Sequence, residues 1–322
     1  MPLPAVLQGR LTLPLIASPM FIVSGPELVI AQCQAGVVGS FPALNARPAQ
    51  LLREWIQRIK RELAAYKEAH PEARVAPFAV NLICHRTNDR LQQDIAICVE
   101  EQVPIIITSL QAPSELIDKV HGYGGIVLHD VISVRHAEKA LAEGVDGLIL
   151  VCAGAGGHAG TLSPFALLGE VRSFFDGPLG LAGAISSGSG ILAAQAMGAD
   201  FAYMGTRFIA TQEAGADPAY KQALVDSEAA DIVYSSLFTG VHGNYLRASI
   251  VNAGLDPDNL PSADKSTMNF GSGGNQAAKA WRDIWGAGQG AGQIRDVPTT
   301  AELVARLRRE YDEAWQQLQQ KR

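Results

Sequence analysis

Short apolar runs recur along the chain, and helical patterns separate them. The runs carry apolar residues at successive positions rather than in strict alternation, which is typical of strands covered on both faces. Repeated strand and helix units predict a parallel sheet. Eight runs are predicted to be strands: Leu13–Met20, Val37–Phe41, Val75–Ile83, Ile105–Ser109, Ile126–Ile132, Leu148–Cys152, Leu179–Ala184 and Phe201–Phe208. Because eight such units close a barrel, the pattern predicts an α/β protein with a (β/α)8 (TIM) barrel.

The helical patterns between these runs have suitable ends. Several begin beside Pro, Ser or Asp and finish near Gly, which are the residues expected to cap helices. The predicted helices are Glu27–Gln34, Ala49–Lys67, Asp89–Glu101, Ser114–His121, Val134–Glu143, Ser163–Phe175 and Gly190–Met197.

The alternation stops after the eighth run. Thr211–Asn269 has helical stretches but no convincing strand, and Gly-rich segments follow at Gly271–Gly274 and Gly286–Gly292. We interpret this region as an inserted, mainly helical lid, with the barrel at 1–212, the lid at 213–290 and a C-terminal helix at 291–322. That last helix carries apolar residues at helical spacing and is expected to cover the barrel; the alternative is a free amphipathic tail. The residues concerned are Leu303, Leu307, Tyr311 and Trp315.

The composition of the chain argues against several classes of function. The chain has 322 residues, 48% hydrophobic and 18% charged, with 32 Gly, which suits a single well-buried α/β domain. Its formal charge of -6 and the lack of a basic run argue against nucleic-acid binding. No signal segment and no bilayer-spanning apolar run is present, so we expect a cytoplasmic protein without a membrane partner. The four Cys form no Cys-x-x-Cys pair, and we expect no metal site.

The active site of such a barrel lies at the C-terminal ends of its strands. Gly183 and Gly205 lie at the ends of the seventh and eighth strands, where barrels commonly bind phosphate through backbone amides. Glycine allows close backbone approach, and Thr206 adds a hydroxyl donor. The alternative is that these glycines merely turn the chain.

A Gly-rich segment after the sixth run carries the best catalytic candidate. The segment Gly154–Gly160 reads Gly-x-Gly-x-x-x-Gly, so it does not match the dinucleotide-binding pattern. It holds His158, an imidazole that can face a ligand at the catalytic end of the barrel and exchange protons near neutral pH.

Together these motifs resemble the nitronate monooxygenase (2-nitropropane dioxygenase-like) family. The matching segments are Gly156-Gly157-His158-Ala159-Gly160-Thr161, Gly198-Ala199-Asp200, Met204-Gly205-Thr206-Arg207-Phe208, Pro19-Met20, Asn81 and Ile284-Trp285-Gly286-Ala287-Gly288-Gln289. They occur in the family's order and span nearly the whole chain.

The resemblance implies FMN across the mouth of the barrel. It places Ala17, Pro19 and Met20 beside the ring, Asn81 at the polar edge of the ring, and Gly183, Ala184, Gly205 and Thr206 around the phosphate. It also assigns Asp130, Gly156, Gly157 and Gln289 to the cofactor site and makes His158 the catalytic base or substrate anchor.

Three departures from the family pattern limit what the resemblance implies. Relatives often have a Lys after the His of the fifth strand, near the N1–C2 edge of the flavin, whereas here Asp130 follows His129. Either Asp130 points elsewhere or this flavin is tuned differently. Ala184 stands where relatives often have a second Gly, and the segment Val241-His242-Gly243-Asn244-Tyr245-Leu246-Arg247 keeps only part of the usual Gly and Arg pattern.

The leading hypothesis is an FMN-dependent oxidation of alkyl nitronates by O2 to a carbonyl compound and nitrite. The alternative on the same fold is an NADH- or NADPH-dependent flavin reductase that acts on quinones or enoyl thioesters. A third hypothesis is a flavin-binding protein whose chemistry is lost through Asp130. The sequence identifies neither the physiological substrate nor the oligomeric state, and an oligomer is compatible with it.

Overall fold

Eleven strands and eleven α-helices are the main elements of the described part of the computed structural model, residues 4–263 and 283–321. Three short 3-10 helices lie at Ala43–Asn45, Ala229–Asp231 and Gln289–Gln293. The strands are β1 Leu15–Ala17, β2 Gly39–Pro42, β3 Phe78–Ile83, β4 Ile105–Ser109, β5 Ile126–Val131, β6 Gly147–Val151, β7 Gly157–His158, β8 Leu179–Ala182, β9 Phe201–Met204, β10 Ile232–Ser235 and β11 Gly243–Leu246. The helices are α1 Pro26–Gln34, α2 Leu51–Ala69, α3 Leu91–Glu100, α4 Ser114–His121, α5 Val134–Ala142, α6 Pro164–Arg172, α7 Gly188–Ala196, α8 Thr206–Ile209, α9 Pro218–Val225, α10 Arg247–Asn252 and α11 Thr300–Gln320.

Eight parallel strands form the barrel. They pair in the order β1-β9-β8-β6-β5-β4-β3-β2, and a parallel bridge between Ile16 and Val38 brings β1 beside β2. The predicted (β/α)8 barrel is therefore confirmed. Each predicted strand overlaps an observed one, but the eighth was predicted too long. It ends at Met204, and Thr206–Ile209 is a helical turn, because a short apolar run does not distinguish strand from helix.

Two layers of apolar side chains hold the barrel together. Its interior contains residues such as Ile105, Ile149 and Phe201, together with Leu7 from the segment before β1. A larger layer lies between the strands and the surrounding helices, and residues such as Ile56 and Leu168 are fully buried there. Strands buried on both faces explain the continuous apolar runs in the sequence.

A second, antiparallel sheet stands above the barrel. It has the order β10-β11-β7, so the hairpin of β10 and β11 pairs with the Gly-rich segment after β6. The expectation of no strand within Thr211–Asn269 is therefore wrong. The missed strands have four residues each, and β7 has only two, so their pairing depends on tertiary contacts more than on local pattern. The predicted Gly-rich segment Gly271–Gly274 lies outside the described residues.

The helix α11 packs on the barrel along its first half. Thr299 and Glu302 form a capping box at its start. Leu303 and Leu307 are buried in the layer between helices and strands, and the Tyr311 hydroxyl donates a hydrogen bond to Gln195 of α7. Trp315 is half exposed and does not share this packing. Within residues 4–263 and 283–321, no helix is long and apolar enough to cross a membrane.

Candidate active site

A cavity of about 260 Å³ opens at the C-terminal ends of the barrel strands. Eleven of the thirteen predicted site residues line it: Pro19, Met20, Asn81, Asp130, Gly156, Gly157, His158, Gly183, Ala184, Gly205 and Thr206. Two do not. Ala17 is fully buried in β1, where its carbonyl accepts a hydrogen bond from Ser40. Gln289 adjoins the cavity wall through its backbone amide, which donates to Gly154 O at 2.9 Å.

Three polar side chains form a directed hydrogen-bond chain on one side of the cavity. Asn81 Nδ2 donates to Ile107 O at 3.1 Å and to Ser109 Oγ at 2.8 Å. Ser109 Oγ in turn donates to Asp130 Oδ2 at 2.6 Å. Since both amide hydrogens of Asn81 are used, its amide oxygen is the group that it presents to the cavity, an acceptor for an N–H group.

Ser109 was not predicted as a site residue. The available signal was its position, since it is the last residue of β4 and a polar residue at a strand end faces the active site in this fold. It lines the cavity and connects two residues that were predicted separately.

Asp130 lines the cavity, so it does not point elsewhere. Burial raises the pKa of its carboxyl to about 6, and the hydrogen bond from Ser109 offsets part of that rise. Its Oδ1 atom is buried without a hydrogen-bond partner. The neighbouring Tyr203 has its pKa raised well above the usual value, by burial first and by the Asp130 carboxyl second. This side of the cavity therefore disfavours negative charge.

His158 is held by the small sheet above the barrel. Gly157 has a φ of +68°, a conformation that favours glycine, and a Cβ at Gly156 would lie only 2.8 Å from Gly288 N. These glycines let the segment turn and approach the loop before α11 closely. His158 Nε2 lies 2.8 Å from Thr239 Oγ1, and burial lowers the pKa of the imidazole to about 4. The ring is therefore neutral near pH 7.

The ends of β8 and β9 supply hydroxyl groups and close backbone. Thr206 Oγ1 accepts a hydrogen bond from Gly288 N at 2.9 Å, so its own hydrogen remains available to a ligand. Ser186, which was not predicted, lines the cavity with a buried hydroxyl that has no partner. A Cβ at Gly183 would lie 2.8 Å from Ala153 O, which explains glycine there. Two hydroxyl donors and closely approaching backbone fit a phosphate group.

The rim of the cavity also carries a cation and apolar groups. The Arg47 guanidinium carbon lies 5.7 Å from the centre of the Phe21 ring, and both residues line the cavity. Ile22, at the same rim, is 45% exposed and has a φ of +57°, which is strained for a β-branched residue. Its amide donates to Asn45 Oδ1 at 2.9 Å. None of these residues was predicted, because no local pattern distinguishes a rim residue.

Comparison with known proteins shows the family of the chain. The model of the nitronate monooxygenase family matches residues 7–310. The chain belongs to this family. A nitronate monooxygenase from Paraburkholderia phytofirmans is 29% identical, over 95% of this chain and 94% of that protein. A carboxyl-CoA dehydrogenase from Rhodococcus jostii is 28% identical, over 74% of this chain and 64% of that protein.

Solved structures support the fold. A nitroalkane oxidase from Streptomyces ansochromogenes has a TM-score of 0.79 and 24% identity, and the match covers 98% of this chain and all of that chain (100%). This likeness identifies the (β/α)8 barrel. The family match identifies the protein as an oxidoreductase of the nitronate monooxygenase type, in a family that is flavin-dependent in general.

Proposed function

We propose that this protein oxidises alkyl nitronates with O2, using bound FMN, to give a carbonyl compound and nitrite. The observation that carries the proposal is a neutral His158 in the cavity of a chain that belongs to the nitronate monooxygenase family. The flavin supplies the electron-accepting chemistry when it is bound, and the protein supplies its binding, orientation and electrostatic surroundings.

The choice of FMN rests on the chemistry of the cavity wall. Hydroxyls of Ser186 and Thr206, with backbone around Gly183, Ala184 and Gly205, offer one site for a phosphate group. The sequence contains no strict Gly-x-Gly-x-x-Gly pattern of the kind that binds the pyrophosphate of a dinucleotide. Asn81 offers an acceptor to the ring's polar edge, and Pro19 and Met20 offer apolar contact.

The pKa of His158 favours a nitronate over a neutral nitroalkane as substrate. A general base works best when its pKa lies near the operating pH, and a group with a pKa of about 4 is too weak to remove a carbon-bound proton efficiently. A nitronate has already lost that proton. His158 then acts as a neutral polar group, held by Thr239 beside the substrate, and not as the base.

The test begins with the cofactor. We expect denatured protein to release FMN, identified by mass, and the flavin to be reduced on anaerobic mixing with propionate 3-nitronate. Under air, the same mixture should release nitrite. Release of FAD, or of no flavin from cells supplied with riboflavin, would contradict the cofactor assignment.

The same experiment separates the competing functions. Flavin reduction by NADH or NADPH without reduction by nitronate would replace the proposal with a flavin reductase. A flavin that neither class of reductant reduces would indicate a binding protein.

A further inference from the structure

We propose that Asp130 takes up a proton when flavin fills the cavity, so that the bound cofactor meets a neutral carboxylic acid. The proposal rests on the proposed flavin-dependent function. It assigns Asp130 as a positioning residue, which sets the charge beside the ring without joining a covalent step.

The Asp130 carboxyl has little hydrogen-bonding support from the groups around it. Its Oδ2 accepts one hydrogen bond, from Ser109, and that donor is fixed because Ser109 in turn accepts from Asn81. Its Oδ1 is buried without a partner. A carboxylate held by a single neutral donor is poorly compensated, since buried anions usually require several donors or a cation.

Within the described residues, the Asp130 carboxyl also lacks a cationic partner. Among residues 4–263 and 283–321, no ion pair or hydrogen bond joins Asp130 to Arg, Lys or His. Tyr203, from β9, is held in its neutral form. His129 precedes Asp130 in β5 and lies 2.7 Å from Thr108 Oγ1 through its Nδ1, and burial lowers its pKa to about 4. Among the described residues, no cation therefore offsets a negative charge on Asp130.

Filling the cavity is expected to raise the pKa of Asp130. Asp130 lines the cavity and keeps part of its surface exposed. A flavin bound there would cover that surface and exclude solvent from it. The loss of solvent contact would penalise the carboxylate further and raise its pKa above about 6. The proton comes from the solvent, and uptake is greatest at pH values where the empty site is ionised and the filled site is neutral.

Proton uptake can be measured without turnover. Apoprotein is titrated with FMN by calorimetry at pH 7, in two buffers that differ in ionisation enthalpy, and compared with Asp130→Asn. The variant is the matched control, because it keeps the size and polarity of the side chain and the FMN phosphate contributes equally in both proteins. We expect wild type to take up roughly one proton more per FMN than the variant, and the difference to vanish near pH 4.5, where Asp130 is already protonated.

A second variant, Ser109→Ala, tests the proposal even if Asp130→Asn does not fold. Ser109→Ala removes the one donor to the carboxylate, so the empty site is protonated at higher pH and uptake at pH 7 decreases. Equal proton uptake by wild type and both variants, with FMN bound in all three, would overturn the proposal while leaving the proposed function intact. Failure of wild type to bind FMN at all would overturn the proposed function instead.

Discussion

His158 Nε2 and Thr239 Oγ1 lie 2.8 Å apart, which joins the Gly-rich segment above the barrel to the loop between β10 and β11. Thr239 also donates its hydroxyl hydrogen to Val241 O at 3.0 Å. This arrangement favours the imidazole tautomer that carries its hydrogen on Nε2. The hairpin of β10 and β11 therefore orients the ring, and changes in this hairpin will affect His158 although they lie outside the barrel.

We predict that Thr239→Val lowers kcat with nitronate by roughly 10-fold with little change in flavin content, because the ring loses its orienting partner. Thr239→Ser should restore most of the activity, since it keeps the hydroxyl. Steady-state kinetics of the three proteins checks this. Full activity in the valine variant would show that the contact does not position His158.

We predict that His158→Ala loses roughly 10- to 100-fold in kcat/KM with pre-formed nitronate, and by the same factor with the neutral nitroalkane. Equal losses indicate positioning. If the ring is instead a general base, the neutral substrate alone should lose about 10²–10⁴-fold. FMN content must be measured in each sample so that loss of cofactor is not mistaken for loss of chemistry.

The pH dependence of the wild-type enzyme tests the same residue. Burial lowers the pKa of His158 to about 4, so the neutral form persists well below the usual value of 6.5. We predict that this group causes no loss of kcat with nitronate as pH falls from 8 to 5, and that the acid limb appears only as pH approaches 4. A limb near 6.5 that is absent from His158→Gln would contradict the depressed pKa.

Substitutions of two neighbouring serines, Ser186 and Ser187, should differ in their effect on the Kd for FMN. Ser186 has a buried hydroxyl without a partner at the cavity wall, whereas Ser187 accepts a hydrogen bond from Gly190 N and caps α7. We predict that Ser186→Ala raises the Kd for FMN by about 10- to 100-fold, the range for one charge-assisted hydrogen bond. Thr206→Val should act in the same direction.

Ser187→Ala is the control. It should lower the free energy of unfolding by about 1 kcal/mol through loss of the cap and leave the Kd for FMN unchanged. Fluorescence titration of apoprotein measures the affinity, and denaturant unfolding measures the stability. An unchanged affinity in both Ser186→Ala and Thr206→Val would place the phosphate elsewhere.

The barrel and most residues of the cavity wall could be predicted from the sequence, because both depend on local constraints. Strands covered on both faces must be continuously apolar, and the active site must follow their C-terminal ends. These two constraints are local, so Asn81, Gly183 and His158 could be found from position alone. The third constraint, close backbone approach, marks glycines such as Gly205.

What could not be predicted depends on contacts between distant segments. The sheet of β7, β10 and β11 exists because His158 pairs with Gly243, and neither segment has a strand pattern by itself. Ser186 is identified as a ligand candidate only because its hydroxyl lacks a partner in the folded protein. The raised pKa of Asp130 likewise follows from burial, which its neighbours in the sequence do not reveal.

The backbone at Ala184 provides a prediction about stability. Ala184 has a φ of +55°, in the left-handed region that favours glycine. An L-residue there costs about 1–2 kcal/mol, whereas glycine adopts the conformation freely but loses about 0.5–1 kcal/mol more chain entropy on folding. We therefore predict that Ala184→Gly raises the free energy of unfolding of the apoprotein by up to about 1 kcal/mol. Ala182→Gly, in the extended strand β8, should lower it, since no strain is relieved there. Denaturant unfolding of both variants decides the matter, and a loss of stability in Ala184→Gly as large as that in Ala182→Gly would show that the left-handed backbone at Ala184 carries no strain.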